Sequence, residues 1–239
     1  MLTPQKPTKN HPAFYPYFCV MKVKAIITGA TGMVGEGVLH VCLLHPEVES
    51  VLVVNRRPCG VEHPKLKEII HADFSDFSGI KEQLAGYNAC FFCMGVSSIG
   101  MKEDVYRSVT YDITLGVARI LAPLNPGMVF NYVSGASTDS TEKGRIMWAR
   151  VKGKTENDLM ALPFKRAYMF RPGYMQPIKG LTHTYRMYKI LSPLYPVLRK
   201  LFPGGVCSLQ EVGVAMINSV IKGYPKQVLE VKDIVALAK

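Results

Sequence analysis

One stretch limits what this chain can fold into more than any other: Ile26-Ile27-Thr28-Gly29-Ala30-Thr31-Gly32-Met33-Val34-Gly35. An apolar strand pattern, Lys22–Thr28, leads into it, and an apolar-rich helical pattern, Met33–Leu44, leads out to His45-Pro46, which ends the helix. Between a first strand and a first helix, glycines at this spacing have separate jobs. Gly29 permits the tight turn, Gly32 lets a pyrophosphate approach the backbone, and Gly35 lets helix and strand pack closely. The helix start adds free N–H groups and the positive end of its dipole. The loop therefore predicts a dinucleotide site built from Gly29, Thr31, Gly32, Met33, Val34 and Gly35.

The rest of the chain supports such a fold. Strand patterns at Val51–Asn55, Leu66–His71, Ala89–Met94, Met128–Val133 and Lys165–Phe170 alternate with helical patterns. The helices run from about Val105 to Leu121, stopped by Pro123, and from Arg145 to Leu162, closed by Pro163. Alternation of this kind gives a parallel sheet covered on both faces, and the strands are apolar enough to be buried on both. The fold class is α/β, a doubly wound parallel (Rossmann) sheet spanning 21–239, with a small C-terminal substrate-pocket region at 174–207. Residues 1–20 read as a Pro-rich tail. Ser208-Leu-Gln-Glu211 is a capping box opening a helix to about Lys222. A short strand at Gln227–Glu230 and a helix from about Asp233 complete the pattern.

The end of the second strand chooses the cofactor. Sites for NAD(H) place an acid about 20 residues on, where it meets the adenosine ribose. Here the strand ends Val54-Asn55-Arg56-Arg57, with no acid. Guanidinium groups match a 2′-phosphate in charge and geometry. The cofactor expected is NADP(H) rather than NAD(H), with Arg56 and Arg57 as its discriminating ligands.

Charge is distributed unevenly. Residues 21–142 hold ten Lys/Arg against thirteen Asp/Glu, net −3, whereas 143–239 hold seventeen against five, net +12. A basic C-terminal portion favours an anionic small-molecule substrate. Nucleic acid is not expected, because no binding motif accompanies the charge. No apolar run is long enough to span a bilayer. The basic, Tyr/Leu-containing stretch Thr184–Leu201 reads as a pocket lid, with peripheral membrane contact as the alternative. Residues 1–20 lack the features of a secretory signal, so a cytoplasmic location is expected. Cys90 and Cys93 form a CxxC inside a strand pattern; positions three apart face opposite sides, so core packing is expected rather than redox or metal chemistry. No metal site is expected.

The glycine loop, the Asn-Arg-Arg turn, His71-Ala-Asp73-Phe74, Cys93-Met94-Gly95, Val133-Ser134-Gly-Ala-Ser137, Val151-Lys152-Gly153 and Arg171-Pro172-Gly173 together resemble the atypical and extended short-chain dehydrogenase/reductases over 21–239. The likeness is greatest to the branch containing the Tat-interacting oxidoreductase-like proteins. It implies that Asp73 and Phe74 lie near the adenine and that Met94 and Gly95 lie beside the cofactor. It also implies a catalytic Tyr four residues before a Lys, with a Ser upstream. Lys152 matches the Lys and Ser134 the Ser, with Ser137 as the second candidate. Trp148 stands in the Tyr position, and no tyrosine lies between Tyr132 and Tyr168. An indole N–H only donates hydrogen bonds and cannot cycle a proton near neutral pH.

Three readings are open. In the first, the chain is an NADP(H)-dependent oxidoreductase acting on a small carbonyl-type or anionic substrate, its acid supplied by Tyr174, Tyr132, Asp139 or water held by Ser134. In the second, it binds NADP(H) without catalysis and reports cofactor state. In the third, it modifies nucleotide sugars.

Overall fold

Apolar residues, many of them β-branched or aromatic, make up most of the central sheet, and the alternation of their side chains divides the core in two. The computed structural model describes residues 21–183, 188 and 192–239. The tail at 1–20 and the segment holding Arg186 and Lys189 lie outside the described residues, and so do the expectations placed on them.

The elements are β1 (Val23–Thr28), α1 (Met33–Leu44), β2 (Val48–Asn55), β3 (Leu66–Ile70), β4 (Ala89–Phe92), α2 (Glu103–Arg107), α3 (Ile113–Leu124), β5 (Val129–Val133), α4 (Met147–Met160), β6 (Arg166–Arg171), β7 (Tyr174–Gln176), α5 (Tyr195–Leu201), β8 (Val206–Ser208), α6 (Leu209–Ile221), β9 (Val228–Glu230) and α7 (Val231–Leu237). Seven strands form one parallel sheet in the order β3-β2-β1-β4-β5-β6-β9. Strand order reverses between β1 and β4, the place where ligands bind in sheets of this kind. The glycine loop leaves β1 there.

Ala25 and Ile27 of β1 face a core shared with α1, α6 and α7. Ile26 faces a second core with Phe92, Phe130 and the apolar stripe of α3. Cys90 is buried in the second core, while Cys93 packs against the first, so the CxxC pair faces opposite sides as its spacing implies. Burial pushes both thiols up. The capping box is present: Ser208 Oγ accepts from the Glu211 N–H at 3.0 Å, and Glu211 Oε2 accepts from the Ser208 N–H at 2.7 Å. Arg199 pairs with that same carboxylate at 2.5 Å, so its charge anchors α5 to the start of α6.

Two elements depart from the sequence reading. The helix expected over Val105–Leu121 is two helices joined by a π-helical turn, Ser108–Asp112, which buries Thr110 and Tyr111. Pro123 sits inside the last turn of α3 rather than beyond it; its missing N–H costs the helix one i→i−4 bond just before it ends. Within 174–207, β7 and β8 pair in a small parallel sheet. Runs of three residues carry no readable period. Among the described residues, no helix is long and apolar enough to cross a membrane.

Candidate functional site

The three glycines of the loop are constrained differently. Gly29 has φ +73°, and a Cβ on it would lie 2.9 Å from the Cys93 carbonyl carbon. A Cβ on Gly35 would lie 2.1 Å from Gly29 O. The fold itself requires both. Gly32 is different: its φ is −111°, and a Cβ would meet only Gly29 O, at 3.5 Å. Nothing in the protein needs a glycine there, so the open side is space for a ligand. Gly32 is the N-cap of α1 and offers no side-chain cap. The N–H groups of Met33, Val34 and Gly35 precede the first helical donor, the Glu36 N–H, which bonds Gly32 O at 2.8 Å. This arrangement suits the phosphates of a dinucleotide. Gly32→Val is expected to abolish dinucleotide binding while costing only about 1 kcal/mol of stability. Calorimetry beside thermal melting checks this; wild-type affinity in the variant would place the phosphates elsewhere.

Asn55 holds the loop from β2. Its Oδ1 accepts from the Ala30 N–H at 3.1 Å, and its Nδ2 donates to Glu68 Oε1 at 3.3 Å. Glu68 Oε1 also accepts from the Cys59 N–H at 2.8 Å. The polar group ending β2 is thus turned inward, and Arg56 and Arg57 follow it outward. With Thr31, Pro58, Ala72 and His183 they line a cleft of about 600 Å³, within the range of small-molecule sites. His183 falls within the 174–207 stretch read as the substrate-pocket region, but it belongs to no motif and lies far from the loop in sequence, so nothing singled it out there.

The adenine-side residues are placed less simply. Asp73 Oδ1 accepts from the Ser75 N–H at 2.8 Å and from its hydroxyl at 2.5 Å, which hold the carboxyl below its usual range. It caps a turn beside Ala72. Phe74 is buried, edge-on to Phe77 with centroids 5.2 Å apart. Its ring packs in the second core. Met94 packs against the second core, and Gly95 is exposed beside it. Cys93 and Met94 abut Gly29, so the end of β4 does meet the loop.

Farther along the strand ends, α4 carries Trp148 and, one turn on, Lys152. Lys152 Nζ donates to Ser134 O at 2.7 Å. Burial brings the ammonium down to about 8, with the Glu156 charge opposing. Trp148 is half-buried against the second core. Thr138 Oγ1 donates to Gly135 O at 2.8 Å, so the Ser134 hydroxyl, 2.9 Å away, donates its proton to Thr138. Ser134 is therefore a buried brace. Ser137 is exposed, has φ +67°, and makes no side-chain hydrogen bond among the described residues. Non-glycine residues in this region gather at functional sites.

The other proton donors named from sequence are occupied. Tyr132 is fully buried, and burial drives its hydroxyl far up. Asp139 accepts from Thr141 and from the Gly144 N–H, which keep it a carboxylate. The Tyr174 hydroxyl donates toward Gln176 and Tyr188 O, each at 3.3 Å, and its ring stacks on Tyr188.

A doubly wound parallel sheet with a phosphate-binding loop at its switch point defines a dinucleotide-binding α/β protein. The chain belongs to the NAD dependent epimerase/dehydratase family, whose model matches residues 25–155. It is 25% identical over 187 residues to "Protein FMP52, mitochondrial" of Meyerozyma guilliermondii, covering 73% of this chain and 79% of that one. The same-named protein of Debaryomyces hansenii is 29% identical over 154 residues, covering 63% and 66%. Among solved structures, the fold is similar to the UDP-N-acetylglucosamine 4-epimerase of Methanobrevibacter ruminantium (TM-score 0.61, 13% identity, 90% of this chain and 81% of that one). It is also similar to the Bordetella bronchiseptica enzyme WbmF in complex with NAD+ (TM-score 0.61, 15% identity, 92% and 77%). A short chain dehydrogenase/reductase from Saccharomyces cerevisiae matches too (TM-score 0.62, 14% identity, 90% and 98%). The names of the curated relatives overturn the expectation of a cytoplasmic location.

Proposed function

We propose that the chain is an NADP(H)-dependent oxidoreductase acting on a small, anionic carbonyl substrate in mitochondria, with Lys152 as the proton donor. The observation that carries this reading is the lowered Lys152 ammonium at the strand ends that also bear the dinucleotide loop. A lysine of this kind can give a proton near neutral pH, as a phenol would in the usual arrangement. Arg56 and Arg57 in the cleft support the phosphorylated cofactor. The net +12 of residues 143–239 supports an anionic substrate.

A bound nicotinamide supplies the hydride. The chain's own residues do the rest. The glycine loop and α1 N-terminus hold the phosphates, Ser137 offers a hydroxyl to the substrate oxygen, and Lys152 Nζ gives that oxygen its proton. Ser134 fixes Lys152 through its carbonyl, and the indole of Trp148 covers the apolar side. The mitochondrial location rests on the names of the relatives.

Consumption of NADPH against α-diketones and quinones over a pH series tests the reading. An acid must be protonated to act, so kcat/KM is expected to be level at low pH and to fall as pH rises through about 8, the Lys152 value. Lys152→Met should remove turnover and that limb together. Tight NADPH binding without consumption at any pH would favour the reading in which the protein reports cofactor state.

A further inference from the structure

Glu36 lies in the first turn of α1, where a dinucleotide's phosphates would also be received. A carboxylate there competes for the helix dipole unless its charge is met. It is met by a strap from the far end of the chain. Glu36 Oε1 accepts from the Thr182 N–H and Oε2 from the His183 N–H, each at 2.7 Å. The His183 ring turns back on the same carboxylate, Nδ1 to Oε2 at 3.2 Å. The Glu36 side chain is 12% exposed and that of His183 38%, so this clasp is a three-contact joint with the carboxylate on its inner side.

The clasp fixes where the imidazole stands. His183 forms part of the wall of the cleft that contains Arg56, Arg57 and Thr31. With Nδ1 committed to Glu36, Nε2 is the ring atom left for a ligand, and a protonated ring presents it as a donor. A carboxylate orienting a histidine from behind is a recurrent way to aim the other nitrogen. Two guanidinium groups and an imidazole then converge on one cleft from two chain segments.

We infer that His183 is a third ligand of the cofactor's 2′-phosphate, aimed by Glu36, and that these two residues together with Arg56 and Arg57 set the preference for the phosphorylated dinucleotide. This inference rests on the NADP(H) reading and adds a residue that no Rossmann motif contains. It also explains why an acid is tolerated in the first turn of a phosphate-binding helix: its charge is spent on the strap.

Adenosine 2′,5′-bisphosphate and ADP, titrated calorimetrically into the full chain, separate the contributions. Both carry the 5′ side, and only the first carries the 2′-phosphate. His183→Ala is expected to weaken the bisphosphate by about 10- to 100-fold, the scale of one hydrogen bond to a charged group, and to leave ADP unchanged. His183→Arg should restore the bisphosphate. Glu36→Ala should produce the same selective loss, since it frees the strap without touching the arginines. A strap that served only to close the site would weaken both nucleotides alike in either variant, and that result, or no loss in His183→Ala, overturns the inference. If Arg56→Ala with Arg57→Ala abolishes the bisphosphate preference while His183→Ala does not, the cofactor reading stands and the role of His183 falls. If wild type binds the two ligands equally, both fall.

Discussion

Arg171→Leu is expected to cost about 3–5 kcal/mol of stability, the usual loss when one partner of a buried ion pair is removed. Arg171 ends β6, and its guanidinium reaches three elements. Nε donates to Glu156 Oε1 at 3.0 Å, Nη2 to Glu156 Oε2 and, at 2.6 Å, to Ser140 Oγ, and Nη1 to Glu230 Oε1 at 3.2 Å. Glu156 is fully buried on α4. Leucine would strip that carboxylate of its hydrogen-bonded guanidinium and free the joint between α4, β6 and the start of α7. Denaturant melts of the single and the double variant, Arg171→Leu with Glu156→Leu, measure this. The double variant is expected to recover much of the loss, because two apolar groups replace two charges. A single-variant loss below about 1 kcal/mol would mean the pair is solvated as a surface bridge is.

Trp148→Tyr is expected to raise NADPH-dependent reduction of activated carbonyls by about 10²-fold, the low end of what a positioned general acid contributes. Trp148 and Lys152 are one turn apart on α4, so a phenol at 148 projects on the same helical face as the ammonium. Lys152→Ala in the Trp148→Tyr background should remove the gain, because the nearby positive charge is what lowers the phenol. Initial rates on an α-diketone and a quinone check this. Equal rates in wild type and variant would show that the indole position is not the proton-transfer position.

Much of the fold and part of the site were legible in the residues alone. The glycine spacing fixed a strand–loop–helix unit, and the bounds expected for α1, Met33–Leu44, are those observed. The capping box at Ser208 announced α6 for the same reason: a motif whose two hydrogen bonds are local needs no tertiary context. What the sequence hid was non-local. Phe74 belongs to a motif, yet its ring belongs to the core, and only packing against Phe77 decides that. The resemblance places Ser134 first and Ser137 second, on motif position alone. Their roles separate once Thr138 is seen to take the Ser134 proton. The π-helical turn after α2 inserts an extra residue that no periodicity count reveals. His183 and Glu36 lie 147 residues apart, and no spacing rule joins them.

The distribution of charge was equally visible, but its use was not. Of the basic residues in the C-terminal portion, Arg171 is spent on Glu156 and Arg199 on Glu211. Among the described residues, the arginines lining the cleft, Arg56 and Arg57, come instead from the acidic half of the chain. Net charge therefore bears on the field around the site, and individual residues decide the ligand.

Calorimetric titration of the wild-type chain with NADPH and with NADH tests the central claim most directly. Charge-assisted contacts from Arg56 and Arg57 to a 2′-phosphate predict that NADPH binds at least about tenfold more tightly, and that Arg56→Ala with Arg57→Ala erases the difference by weakening NADPH alone. Equal affinities in the wild type, or tighter NADH, would contradict it.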